Sequence, residues 1–447
     1  MSVTQDHQDF FQWLEQRNPN QVEFNQAVQE LYKDLIPIVK ENRDLEQHQI
    51  LKRLTEPDRI ISFRVCWEDD NGELHVNRGY RVQHCGVLGP YKGGIRFHPS
   101  VNESVLKFLA FEQTFKNALT MLPLGGGKGG ADFDPQGRTD REIMRFCQAF
   151  MNELYRHIGE NTDVPAGDIN VGSREIGYLF GQYRRLANNF SGSLTGKDIE
   201  FGGSHVRTEA TGYGLVYFVE NMLNQVGDSL ADKKVAVSGA GNVALHAALQ
   251  ATEMNAQVVT LSNSQGSIYH QEGIDQSALK DLISSRDRPD LKQLANDIGG
   301  QWREGQKPWD IACDIALPCG TQNELDEEDA KALVELGCQF LAEGANMPCT
   351  EKAIDILNKA KIANAPGKAS NAGGVALSGL EMSQNASFSS LSYDELDEKL
   401  KHIMKNIHMQ CVKHSGNEED TWVNYRKGAN IAAFNRVAAS MLSQGVG

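Results

Sequence analysis

A single lysine stands among five glycines in the stretch "PLGGGKGGADF", which runs from Pro123 to Phe133. Backbone with one cation and almost no side-chain bulk suits two chemistries: cradling a phosphate, or presenting an ammonium to something small and reactive. Spacing excludes the first. A G-x-x-x-x-G-K-[S/T] phosphate loop needs a glycine five residues before Gly127 and a hydroxyl after the lysine, whereas Leu122 and Gly129 occupy those places. That leaves the second chemistry for Lys128, an ammonium offered to something small and reactive. "GPYKGGIRFHP" sets Lys92 in a second glycine-bounded loop, and "FEQTFKNALT" sets Gln113 and Lys116 three apart, on one side of a helix. "PAGDINVG" sets Asp168 after another small, turn-prone stretch. Taken singly, each lysine reads as a solvated surface charge and Asp168 as a helix cap. Their succession argues for a site.

Phosphate is handled elsewhere in the chain. "VAVSGAGNVA" places Gly239-x-Gly241-x-x-Ala244 directly after an apolar strand and at the start of a helix. The first glycine permits a tight turn, the second lets backbone approach a pyrophosphate, and the small third residue lets helix and strand pack closely. The helix N-terminus favours the negative charge. The next strand ends at "TLSNSQG", where an NAD site usually presents Asp or Glu to the ribose 2′-hydroxyl; Ser262, Asn263 and Ser264 stand there instead. Neutral hydrogen-bonding groups tolerate a 2′-phosphate that an acid would repel, so NADP is the expected cofactor. Arg286 or Arg288 would supply a cation for it, and the sequence leaves both open.

These residues need elements to hold them. Helical spacing runs through residues 20–55 (Val22, Leu31, Leu35, Val39), as in peripheral helices. From Arg59 the period changes: "IISFRVCW" and "LHVNRGYRVQHC" read as strands of a hairpin around Asn71-Gly72. After a glycine-rich loop around Lys92, "NESVLKFLAFEQTFKNALTM" reads as a helix capped by Ser100 or Asn102. The Lys128 loop follows, then a short strand at "GADFD" and a helix from Asp140 to about His157. Residues 188–205, poor in periodic apolar positions, read as a linker or rim loop. Beyond them "KKVAVSGAG", "AQVVTLS", "CDIALPC", "FLAEGAN" and "KIANAPG" are buried-strand patterns with helices between several of them, the signature of a parallel doubly wound sheet. The tail from Tyr393 to Met441 is helical.

Composition sets the outer bounds. At 447 residues the chain is long enough for about two or three domains. A formal net charge of −15 argues against a nucleic-acid or anionic-membrane partner, though not against an anionic substrate. The eight cysteines (66, 85, 147, 313, 319, 338, 349, 411) are scattered without a C-x-x-C pair, so they read as reduced thiols rather than disulfides or zinc ligands. Cys313 and Cys319 read as packed thiols flanking a strand. No apolar run reaches the roughly 18 residues of a membrane helix, and "MSVTQDHQDFFQW" lacks the pattern of a secretory signal. A cytoplasmic protein without a metal site is expected.

The motifs in series resemble the glutamate dehydrogenases, of the NADP-dependent hexameric type. The similarity covers nearly the whole chain, through "GPYKGGIRFHPSV", "FEQTFKNALTMLPLGGGKGG", "PAGDINVG", "VRTEATGYG", "SGAGNVA", "AEGANMP" and "APGKASNAGGVALSGLEMSQN". The resemblance implies an α/β protein of two domains with the active site in the cleft between them. A substrate and oligomerisation domain would take residues 1–201, with 424–447 returning to it, and a Rossmann-type NADP-binding domain residues 202–423. It implies a homohexamer that interconverts L-glutamate with 2-oxoglutarate and ammonium. By motif, Lys128 is similar to the family's catalytic lysine and Asp168 to its catalytic acid. Lys92 and Ser378 match the groups on the γ-carboxylate, Gln113 and Lys116 those on the α-carboxylate, and Gly167, Arg207 and Val375 further substrate positions. Thr211, Gly239, Gly241, Asn242, Val243, Ser262, Asn263, Asn346 and Asn371 fall where the family contacts its cofactor. Asn263 departs from the acid that related NADP-type sequences often carry there. For Lys128 to work near neutral pH its pKa must fall, and burial beside Lys116 would push it down. The glycines would leave room for substrate and for closure over the ammonium. A dehydrogenase for leucine, valine or phenylalanine is the nearest rival, since it would share these groups but lack a cation for the side chain. A non-catalytic nucleotide-binding module is the rival from another class.

Overall fold

The structure is a computed structural model, and it describes residues 3–285, 290–416 and 422–446. The chain forms two compact units. One comprises Met1–His205, Val375–Leu396 and Asn430–Gly447, the other Val206–Gly374 and Asp397–Ala429.

These bounds differ from the expected ones. The first crossing falls after His205 rather than residue 201, the last return at Asn430 rather than 424, and residues 375–396 join the first unit. Side-chain chemistry explains that third segment. Lys197 and Glu381 form a buried ion pair of 2.7 Å, Gln384 Nε2 donates to Ser204 Oγ at 2.9 Å, and Gly379 lies against Leu122 and Leu124. Residues 188–205 are a loop, as expected, apart from the short helical turn Ile199–Phe201, but their central part is not exposed: Ser193, Leu194, Thr195 and Lys197 are all buried. Their polar side chains make the stretch look solvated in the sequence, yet they are used inside.

In the first unit β1 (Arg59–Glu68) and β2 (Leu74–Cys85) make the expected antiparallel hairpin, with Gly72 at φ +81° in its turn. With β3 (Tyr91–Phe97), β4 (Gly125–Ala131) and β5 (Asp163–Gly167) they form a sheet of order β1-β2-β4-β3-β5. β4, β3 and β5 run parallel. Both glycine stretches read as loops are thus strands, and β4, "GGGKGGA", is buried throughout. Low strand propensity misleads here because packing overrides it. The helix Glu103–Leu119 presses directly onto the strand, where a Cβ on Gly126 would sit 1.9 Å from Thr114 Oγ1. Of the two cap candidates Asn102 serves, accepting from Val105 N. The opposite face of the sheet packs Ile95, Phe97 and Ala131 with Phe146 and Phe150 of the helix Asp140–Leu154 and Leu179 of the helix Ser173–Ala187. A Thr139–Glu142 capping box fixes the start of the former. The helix Val22–Glu41 buries Phe24, Val28, Leu31 and Leu35.

The second unit holds β6 (Lys234–Ser238), β7 (Gln257–Asn263), β8 (Gly266–Tyr269), β9 (Gln301–Glu304), β10 (Ile315–Pro318), β11 (Phe340–Ala342) and β12 (Ala363–Ala365). Their order is β12-β11-β10-β6-β7-β8-β9. The run from β12 to β7 is parallel, as the five apolar segments predict. β8 and β9 add an antiparallel edge that short, partly polar segments ("GSIY", "QWRE") did not announce. Cys313, Cys319 and five other thiols are buried, and Cys66 is exposed. Among the described residues no helix is long and apolar enough to cross a membrane.

Candidate active site

Strand alternation fixes which residues of the first unit can meet. On β3, Lys92, Gly94 and Arg96 share one face, while Ile95 and Phe97 point into the core. On β4, Lys128 shares its face with Gly126, which abuts the helix Glu103–Leu119. β4 and β5 flank β3, with Lys92 opposite Gly126 and Val164. Asp168 directly follows β5, at the carboxyl end of the parallel strands, where open α/β sheets place their ligands. Gly94 allows its approach, because a Cβ there would lie 2.7 Å from the Cβ of Asp168.

Lys128 and Asp168 are brought together. Lys128 Nζ donates to Asp168 Oδ1 at 2.7 Å, and Arg96 Nε donates to Oδ2 at 2.7 Å. Burial pushes the Asp168 carboxyl up, but Lys128 and Arg96 together outweigh it and hold it well below the usual carboxylate range. Desolvation lowers Lys128, opposed by Asp168 and aided by the like charges of Arg96 and Arg81. Lys116 is lowered to about 8, by burial first and by Lys128 second. The depressed lysine pKa values therefore arise as expected from burial, while the cations beside Lys128 include two arginines that the sequence reading had not brought in.

The remaining expected groups divide. Lys92, 1% exposed, donates from Nζ to Thr195 Oγ1 at 2.8 Å. Ser378 and Val375 are buried on the helix Gly373–Ser387, which joins this unit at Val375. Gln113 turns its Nε2 to Asn117 Oδ1 at 2.7 Å, and Gly167 ends β5. Arg207 lies in the second unit.

Four neighbours of these groups were missed. Arg96 becomes visible only once "KGGIR" is read as a strand, which puts positions 92 and 96 on one face. Thr195 sits in the stretch taken for a rim loop and carries no sequence signal. Arg81 and Asp163 form a fully buried pair on the face of the sheet opposite Lys128, with Arg81 Nε to Asp163 Oδ2 at 2.8 Å. Arg81 Nη1 also donates to Gly93 O at 3.0 Å, so its guanidinium lies along the glycine strands, close to Gly127 and Gly129.

In the second unit β6 runs into Gly239, whose φ of +88° only glycine adopts easily, and Gly241 caps the helix Asn242–Glu253. Nothing lies within 4 Å of a Cβ placed on Gly241, so the turn is open to an approaching ligand. Ala244 is fully buried. This fits a pyrophosphate on a helix N-terminus. Asn242 Nδ2 donates to Thr208 O at 2.6 Å, and Val243 follows it in the first turn. Thr211, on the helix Ala210–Gln225, lies against Gly374.

Ser262 and Asn263 at the end of β7 are both engaged by backbone N–H groups. Ser262 Oγ accepts from Gly239 N at 3.0 Å, and Asn263 Oδ1 accepts from the backbone N–H of Gln265 and Gly266. Their acceptors are occupied by the turns, which leaves a hydroxyl proton and an amide NH2 as donors. Asn371 donates to Gly344 O, Ala345 O and Asn346 Oδ1, so it shapes the loop that carries Asn346. Arg286 and Arg288 lie outside the described residues. Glu324, also missed, ties β6 to the segment after β10: its Oε1 accepts from Ser238 Oγ and Gly320 N, and burial raises its pKa.

Residues 202–445 match the family described as Glutamate/Leucine/Phenylalanine/Valine dehydrogenase, and residues 57–185 its dimerisation domain. The chain is 52% identical over 448 residues to the NADP-specific glutamate dehydrogenase of Escherichia coli, covering all of both chains. It is 53% identical over 442 residues to the NAD-specific glutamate dehydrogenase of Bacteroides fragilis, covering 97% of this chain and 98% of that one. A crystal structure of Plasmodium falciparum glutamate dehydrogenase superposes with a TM-score of 0.95 at 49% identity, over 99% of this chain and 95% of the other.

Proposed function

This chain belongs to the Glu/Leu/Phe/Val dehydrogenase family, and on that premise we propose that it catalyses the reversible oxidative deamination of L-glutamate to 2-oxoglutarate and ammonium. Within the family the choice of substrate rests on Lys92. A fully buried ammonium, bonded to the Thr195 hydroxyl, would reject an apolar side chain and favours a second carboxylate. That observation carries glutamate over leucine, valine or phenylalanine. Ser378 would assist Lys92, and Lys116 with Gln113 would take the α-carboxylate. Gly167, Arg207 and Val375 complete the proposed substrate contacts.

A bound nicotinamide dinucleotide supplies the hydride acceptor, held by Gly239, Gly241, Asn242 and Val243, with Thr211, Asn346 and Asn371 from neighbouring segments. The chain's own residues do the rest. Two fixed cations orient the α-carbon, which is where positioning contributes most. Loss of the α-hydride leaves an iminium, and neutral Lys128 takes a proton from the water that attacks it. The carbinolamine then loses ammonia, with Asp168 exchanging protons at the nitrogen. Asp168 starts as a carboxylate, the form that can accept. NADP is the proposed dinucleotide, since Ser262 and Asn263 offer donors and no carboxylate to a 2′-phosphate. We further propose the domain roles named for the resemblance, a homohexamer and a cytoplasmic location.

Mixing the protein with 2-oxoglutarate, ammonium and NADPH tests this directly. Falling absorbance in the reduced-nicotinamide band is expected, with slower loss for NADH and for 2-oxo acids with apolar side chains. No loss with NADPH or NADH would leave a nucleotide-binding module.

A further inference from the structure

We propose that Arg96 is a positioning residue that holds Asp168 in place, as a carboxylate, while Lys128 changes its charge. The inference rests on the assignment of Lys128 and Asp168 above and adds a residue that assignment lacks.

The Asp168 carboxylate has two hydrogen-bond partners among the described residues, one for each oxygen: Lys128 on Oδ1 and Arg96 on Oδ2, both at 2.7 Å. The two cations are not equivalent. Lysine titrates, and burial here lowers Lys128. Arginine stays charged across the working range. When Lys128 gives up its proton to become a base, half of the clamp loses its charge, yet the burial that disfavours the carboxylate stays. With Lys128 alone as its partner, Asp168 would then rise and take up a proton. Arg96 prevents this, and its like charge also keeps Lys128 low. The guanidinium can do so because its backbone is pinned on both sides: β3 pairs with β4, Arg96 opposite Gly130, and with β5, which leads straight into Asp168.

Other charges surround the pair without replacing Arg96. Lys116 and Glu112 come from the helix Glu103–Leu119 and Lys92 from β3, where Thr195 engages it. Arg81, on the other face of the sheet, pairs with Asp163 and adds to the lowering of Lys128, but it makes no hydrogen bond to Asp168. The clamp thus splits one job between a cation that must change and a cation that cannot.

The test is the pH dependence of kcat/KM for glutamate in the wild type, Arg96→Gln and Arg96→Lys. Activity rises with pH as Lys128 loses its proton. In Arg96→Gln that ascending limb should move up by about one pH unit, with turnover falling at least about ten-fold. Arg96→Lys keeps the charge, so its limb should stay near that of the wild type while turnover recovers in part. If Arg96→Gln is too slow to profile, recovery in Arg96→Lys supports the proposal and an equally inactive Arg96→Lys overturns it. An unmoved limb in Arg96→Gln also overturns it. Lys128→Ala and Asp168→Asn assayed alongside separate the two levels. Should these keep wild-type turnover, the site assignment fails; should they lose it while Arg96→Gln behaves as wild type, only the role of Arg96 fails.

Discussion

Asp168 rests on the backbone of Gly94, so closely that the β-carbon of any other residue at position 94 would stand 2.7 Å from its own. β3 gives up a side chain between Lys92 and Arg96 to make that seat. Gly94→Ala should therefore displace Asp168 by a fraction of an ångström to an ångström and lower turnover by about a hundred-fold. Steady-state kinetics would show it as a loss in kcat, with NADPH affinity unchanged by fluorescence titration.

Removing the reacting groups themselves should do more. Lys128→Ala and Asp168→Asn are expected to lose about 10²- to 10⁴-fold or more in turnover, the range for a general acid or base, while still binding NADPH. Near-wild-type rates in either variant would take that residue out of the mechanism.

Lys92→Leu tests substrate choice. Loss of the buried ammonium should lower kcat/KM for glutamate by roughly a thousand-fold and improve activity toward amino acids with apolar side chains. Retained preference for glutamate would place the recognition of the second carboxylate elsewhere.

Lys116 carries a stability signature. Its folded pKa of about 8 lies below the ordinary lysine value, so the protonated form is disfavoured in the folded protein. The destabilisation is full below about pH 8 and fades as pH rises toward about 10.4, where the unfolded chain also loses the proton. Lys116→Met should raise stability by about 2 kcal/mol at pH 7, and the advantage should vanish near pH 10. Denaturant melts at both pH values would check it, and a loss of stability at pH 7 would contradict it.

Asn263→Asp tests the adenosine end. One carboxylate oxygen would still close the turn over Gln265 and Gly266, while the other would face the 2′ position as an anion. The ratio of kcat/KM for NADPH over NADH should fall by about ten-fold or more.

What the sequence makes legible is chemistry, and strands only where propensity and packing agree. β6, β7, β10, β11 and β12 are apolar runs, and all five stand where the pattern puts them. Lys128 and Asp168 are recognisable by motif and lie 2.7 Å apart. β3 and β4 are hidden, because a run of glycines announces a loop locally and becomes a strand only through contact with Thr114 and the flanking strands. Arg96 is lost with them, since its face on β3 cannot be read from a loop. Thr195 and Lys197 are invisible for another reason: each is used by a partner far along the chain, Lys92 and Glu381.

Six of the seven residues of β4 are glycine or alanine, and the seventh is Lys128. Such a segment has no local reason to be extended, and it brings no apolar side chain large enough to join a collapsing nucleus. Its conformation is imposed by β2 on one side, β3 on the other and the helix Glu103–Leu119 above. The lysine strand is thus held extended by its neighbours rather than by its own sequence, and Lys128 owes its place to residues that take no part in the chemistry.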